Sequence, residues 1–233
     1  MLFAIALAAA DPAAFLAAVR AQDLTRVERM LSKEPSLASA RDEKGSAVSS
    51  ALAARQGVGF MPRRDNRVLA AILKTRPQLT PSEVCSVGTA SQVRAQLAED
   101  PAFVKSRNLN GWTPLHAAAF GNNAAAAALL IAAGAEVDAR AKNRFDNTPL
   151  QVAMLTQSSD AAKVLIAHGA DVNARQAEGV TALQEAASNG DTVSIRLLLA
   201  AGADPSSAMP DGRTALDFAL AGNHSEAARL LKP

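Results

Sequence analysis

Apolar positions in the C-terminal part of the chain recur in two alternating short runs. One run opens on Thr, then Pro or Ala, then Leu: Thr113-Pro114-Leu115, Thr148-Pro149-Leu150, Thr181-Ala182-Leu183 and Thr214-Ala215-Leu216. A Thr hydroxyl can accept from the unpaired N–H groups of a first helical turn, and Pro at the first helical position gives up a donor that has no partner there. Each run therefore predicts a helix start, with its Leu facing inward. Small residues such as Ala118-Ala119 and Ala186-Ala187 let a second helix approach. The other run ends on a bulky pair: Leu129-Leu130, Val164-Leu165, Leu197-Leu198 and Leu230-Leu231. Gly134, Gly169 and Gly202 follow the first three, where a left-handed residue commonly closes a helix. The pattern predicts pairs of helices joined by polar segments that turn at Asn110-Gly111, Asp146-Asn147, Glu178-Gly179 and Asp211-Gly212.

The pairs keep a period. From Thr80 through Thr113, Thr148 and Thr181 to Thr214 the steps are 33, 35, 33 and 33 residues. The series Gly134-Ala135-Glu136, Gly169-Ala170-Asp171 and Gly202-Ala203-Asp204 steps by 35 and 33, so both motifs share one two-residue insertion, near Ala141-Lys142. Upstream, apolar patterning predicts helices at 13–20 and 24–33, with Pro35 after them, and a helix at 91–99. A pair within 45–79 is interrupted by 56–66, which contains Gly57, Gly59 and Pro62 and is expected to lie outside the stack.

At these residues the chain resembles the ankyrin repeat family, whose unit is a turn, a Thr-Pro-Leu-His helix start, a second helix and a Gly-Ala-Asp loop. The match is specific over 111–231, degenerate over 80–110, and rests on length and apolar pattern over 13–79. The resemblance implies an all-α solenoid of about seven helix–turn–helix modules with short finger loops. They lie at 13–44, 45–79, 80–110, 111–143, 144–177, 178–210 and 211–233, in a single domain after a leader at 1–12. Such a module buries its apolar face only against neighbours. The last one, with Arg229 and Lys232 near its helix end, reads as a cap.

Composition sharpens the picture. Of 233 residues, 49% are hydrophobic and 20% charged, too apolar for a disordered chain, and Ala alone supplies 54 while Tyr supplies none. That favours close helix packing over an aromatic core. No apolar run reaches the ~18 residues that suggest a membrane span. A net charge of +2 is too balanced to argue for nucleic acid, although 55–76 carries a net +5. That segment reads either as a solvated loop or as a basic site for an acidic partner. The first ten residues resemble the apolar middle of a secretory signal ending at Ala8-Ala9-Ala10, but lack a basic leader and are short. Export to the periplasm is favoured if they are a signal, and the cytoplasm otherwise; an apolar flap is the alternative.

Candidate chemistry is sparse. The three histidines fall in different modules: His116 in the helix-start motif, His168 before a helix-ending Gly, and His224 at an inter-helix turn. Neither a zinc site nor a dyad is expected. The single cysteine, Cys85, excludes an intramolecular disulfide and reads as a packing residue. Gly57-Val58-Gly59 is too incomplete for a phosphate loop. No enzyme constellation and no cofactor or metal site is read from the chain.

The resemblance places partner contacts on the fingers and the ends of first helices. Those positions hold Arg107, Leu109, Asn110, Trp112, Phe120, Arg140, Arg144, Phe145, Asn147, Leu155, Thr156, Arg175, Glu178, Val180 and Arg213. Arg107, Arg140 and Arg175 share one module position and should form a ladder on successive fingers. Trp112, the sole Trp, is either a binding anchor or a side chain packed on its own finger. The function expected is non-catalytic binding of a protein partner, acidic if the ladder is used, by a monomeric chain. Two alternatives are an enzyme or ligand-binding protein using the 55–67 insertion and an exported accessory or immunity-type protein.

Overall fold

The computed structural model describes residues 11–56 and 67–232; residues 1–10 of the leader expected at 1–12 and 57–66 of the insertion expected at 56–66 lie outside the described residues. Among the described residues there are fourteen α-helices, all in successive pairs, and one two-stranded hairpin. They fall into two compact units, 11–56 with 67–79, and 80–232.

The first unit holds α1 (Pro12–Arg20), α2 (Leu24–Lys33), β1 (Arg41–Asp42), β2 (Gly45–Ser46), α3 (Ala47–Gln56) and α4 (Arg67–Lys74). Asp11 and Asp23 begin the first two helices, their carboxylates accepting from Ala13 N and Arg26 N. Apolar residues at helical spacing converge in the core: Phe15, Leu16 and Val19 of α1, Val27 and Leu31 of α2, Leu52 of α3, and Val68, Leu69 and Ile72 of α4. Helix α1 packs on α3 and α2 on α4, the side-by-side stacking expected of two neighbouring repeats. The hairpin between them pairs Arg41 with Ser46, and Arg20 reaches it through a 2.6 Å ion pair to Asp42.

The second unit holds five pairs: α5 (Pro81–Val87) with α6 (Ala90–Glu99), α7 (Pro114–Phe120) with α8 (Ala124–Ala132), α9 (Pro149–Leu155) with α10 (Ser159–Ala167), α11 (Ala182–Ser188) with α12 (Thr192–Ala200), and α13 (Ala215–Ala221) with α14 (Ser225–Leu231). First helices stack on first helices and second on second. Every threonine of the periodic series caps as its chemistry predicts. Thr80, Thr113, Thr148, Thr181 and Thr214 each form a reciprocal capping box with the residue three positions on. Leu115, Leu150 and Leu183 of the first helices and Leu130, Leu165 and Leu198 of the second are fully buried. Gly134, Gly169 and Gly202 have φ of 90°, 84° and 88°, and an added Cβ would meet nothing within 4 Å. Their requirement is conformational, not steric. No helix among the described residues is long and apolar enough to cross a membrane.

Candidate partner-binding surface

The fingers between pairs are bound to one another by side chains that repeat with the modules. The position three residues after Thr113, Thr148 and Thr181 reaches into the next finger. His116 Nε2 lies 3.0 Å from the carbonyl of Asn147. Gln151 Nε2 donates to the carbonyls of Ala174 and Val180 at 2.9 and 3.1 Å. Gln184 Nε2 donates to those of Ser207 and Arg213 at 2.9 and 3.2 Å. Because the Asn147 oxygen can only accept, the His116 proton sits on Nε2, leaving Nδ1 to accept from Thr113 N at 3.2 Å. Burial lowers the His116 pKa to about 4, so the ring is neutral. His224 forms a similar link, its Nε2 3.1 Å from the Ser188 carbonyl, while His168 Nδ1 meets the Val164 carbonyl within its own helix. Among the described residues no group of three His, Cys, Asp or Glu could hold a metal ion. Cys85 is buried in α5, which pushes its thiol up to about 12.

The arginine ladder exists, but its heads turn along the stack. Arg107 donates to the Gly111 carbonyl of its own finger at 2.9 Å and to the Arg140 carbonyl of the next at 2.6 Å. Arg140 does the same to Asp146 and Arg175, at 2.9 and 2.6 Å. Arg175 donates to Gly179 and Ala208, both at 2.9 Å, and to Ser207 Oγ. The sequence pattern assigns these three side chains to a partner; the structure gives them carbonyl partners inside the stack. Repeating carbonyls one finger apart offer a guanidinium two acceptors at once, and its forked donors suit that geometry.

Other candidates divide by burial. Val180, expected at the surface, is only 9% exposed, and Thr156 and Asn147 are buried as well. Trp112, Phe120 and Leu155 are half-buried. Trp112 lies nearly parallel to the His116 ring, 6.2 Å between centroids, and tilted against Phe120 at 5.3 Å. Leu109 and Phe145 stand in water on adjacent fingertips, with Asn110 and Glu178 also exposed. The Arg144 guanidinium lies 4.5 Å from the Phe145 ring centre. Arg213 is occupied within its own module, 2.7 Å from Asp211 and over the Phe218 ring. Burial raises the pKa of the Glu185 carboxyl in α11; the bond from Gln176 opposes that rise, and the charge of Glu178 adds to it.

One functional role has little local signal. Asn122, at a left-handed φ of 55°, accepts through Oδ1 from Asp160 N and Ala161 N, both 3.0 Å away in the next module. It caps α10 from outside, since the helix's own cap residue Ser158 makes no capping bond and instead meets Thr156 Oγ1 at 2.9 Å.

No curated protein matches the chain. The family model described as ankyrin repeats (3 copies) matches residues 83–176 and again 173–233. With paired helices, periodic capping boxes and finger-to-finger links already in place over that same stretch, the match is to the architecture as well as to the motif, and the chain belongs to the ankyrin repeat family.

Proposed function

We propose that the finger face of the second unit, centred on 107–147, is a non-catalytic docking surface for a protein partner. Ankyrin repeats are in general protein-binding modules, in a family that is typically non-catalytic. The observation that carries the reading is a pair of large apolar side chains, Leu109 and Phe145, held in water on fingers that are otherwise hydrogen-bonded together. Exposing such side chains forfeits roughly 25 cal/mol per Å² of apolar area. Nothing in the repeat requires them, because the matching positions elsewhere hold Ala177 and Pro210, or Asn110, Glu178 and Asp211. Fingers fixed before binding lose little freedom on association, which is how a rigid surface gains affinity. Exposed Lys142 and Arg144 favour an acidic partner and faster encounter at low salt. Trp112, Phe120 and Leu155 form the half-buried floor beside the tips, and the chain acts as a monomer.

Affinity capture with the full chain tests this, run beside a Leu109→Ser/Phe145→Ser variant and a Val193→Ser control. Val193 is also an exposed large apolar residue but lies on α12, away from the fingers. The bound protein should be lost with the fingertip variant and kept with the control. Retention by both would move the interface to another face.

A further inference from the structure

Glu185 is a charged residue at an apolar register. The other first helices of the second unit hold Val84, Ala117, Val152 and Phe218 at the same position, spaced with the repeat. In two modules the finger residue just before the capping Thr lies over this part of the helix. Trp112 rests on α7 against His116 and Phe120, and the Arg213 guanidinium sits 4.8 Å from the Phe218 ring centre on α13. Beside α11 that finger residue is Val180, which is buried and too short to extend across the helix as an indole or a guanidinium does. Glu185 is therefore half-buried but uncovered. Its Oε1 accepts from Gln176 Nε2 at 3.2 Å. Its Oε2 has no hydrogen-bond partner and stays open to water, because among the described residues Asn147 Oδ1 is the one buried side-chain nitrogen or oxygen left unmatched.

Among the described residues no Lys, Arg or His pairs with Glu185, and the charge that acts on it is that of another carboxylate, Glu178. A half-buried carboxylate beside a like charge gains more from an arriving cation than one in open water, where solvent screens it already. On the preceding finger Lys142 and Arg144 are exposed, and among the described residues no carboxylate pairs with either. Resting on the docking reading above, we infer that the partner presents a lysine or arginine to Glu185 Oε2, its cationic head seated over α11 as the Arg213 guanidinium is seated over α13 one module later. The acidic stretch of the same segment meets Lys142 and Arg144. The surface then runs from positive to negative along two successive modules, and this order fixes the direction in which a segment can lie. A reversed segment sets like charge against like at both places.

The probe is a phage-displayed library of random peptides, selected on the immobilised full chain. Enriched peptides are then titrated by fluorescence anisotropy against the wild type, Glu185→Gln and the Leu109→Ser/Phe145→Ser variant, with each peptide lysine or arginine replaced in turn by methionine. Enriched peptides should carry an acidic stretch and at least one lysine or arginine. Glu185→Gln should bind them roughly tenfold or more weakly, the loss expected when one charge-assisted hydrogen bond is removed. Replacing one particular cation of the peptide should weaken binding to the wild type by a similar factor and to Glu185→Gln no further. Glu185→Gln keeps an acceptor for Gln176 and should melt no lower than the wild type. If it melts lower, the carboxylate is already employed in the free chain and the inference fails. It fails equally if enriched peptides lack a cation, or if the two losses simply add. Peptides that need Leu109 and Phe145 but ignore Glu185→Gln overturn the inference and leave the docking reading standing. Peptides that need Glu185 and ignore the fingertips keep the cation seat and move the docking surface to the module at 178–210. A selection that enriches nothing, or only peptides indifferent to all three residues, removes both.

Discussion

Arg140→Met is the sharpest test of the finger-to-finger links, because Met keeps most of the aliphatic stem and removes the head. The guanidinium donates to the carbonyls of Asp146 at 2.9 Å and Arg175 at 2.6 Å, with a longer contact to the Asp146 carboxylate at 3.4 Å. A hydrogen bond from a charged donor contributes about 1.5–3 kcal/mol when sheltered. The Arg140 side chain is 43% exposed, so water competes for both carbonyls and the ion pair is screened. Counting the two carbonyl bonds at the low end for neutral partners and the ion pair at close to nothing gives a loss of about 1–2 kcal/mol. For a chain of this size that lowers the melting temperature by roughly 3–6 °C. Thermal and urea unfolding would measure it, with Arg196→Met as a comparison, since Arg196 makes only an exposed 3.4 Å pair with Glu226. The Arg140 effect should survive high salt, because its acceptors are neutral carbonyls. A change below about 0.5 kcal/mol, no larger than an ordinary surface substitution, would refute the argument. The ladder would then be free to serve a partner.

Two further outcomes follow from burial. Leu165→Ala should cost about 2–5 kcal/mol in chemical denaturation, as other fully buried Leu truncations do, since Leu165 is sealed between neighbouring second helices. His116 should make stability pH-dependent: its folded pKa of about 4 lies below the ordinary 6.5, so only the unfolded chain takes up a proton between those values. Its contribution is complete above about 6.5, falls through that window by up to roughly 3 kcal/mol, and levels off below the folded value. His116→Gln, which copies Gln151 and Gln184, should flatten the denaturation midpoint across that range; an unchanged slope would assign it to other groups.

The features legible in the sequence are those fixed by chemistry within a few residues. A Thr before a helix finds its N–H groups wherever the module sits, and Gly202 needs its left-handed φ whatever surrounds it. The seven helix pairs follow from such signals, with α2 at its expected bounds and α6 begun one residue early by the Thr89 cap. What escaped depends on the spacing between modules. Arg107, Arg140 and Arg175 read as a ladder facing a partner because one acceptor of each lies 32–35 positions away, in the next finger, and the other, 4–6 residues on, is a backbone carbonyl of the turn that no side-chain pattern marks. Val180 read as surface by its register with Trp112, yet its short branched side chain is buried where the larger indole of Trp112 stays partly exposed. Asn122 gave no sign of its partner because the helix it caps belongs to another module.

The repeating acceptors also bear on how such a chain can change by whole pieces. Gln151 donates to Ala174 and Val180, and Gln184 donates to Ser207 and Arg213, the same two finger positions one module later. Excising 178–210 would join Ala177 to Asp211 and present Gln151 with the Arg213 carbonyl where Val180 had been, so both bonds of Gln151 are kept, while those of Arg175 to Ser207 and Ala208 go with the excised segment. A cut of any other length would offset donors from acceptors at the seam. In hereditary terms the gene can lose or copy a segment of one period and still offer each remaining Gln its pair of finger carbonyls, whereas a slip of a few codons within a finger takes them away.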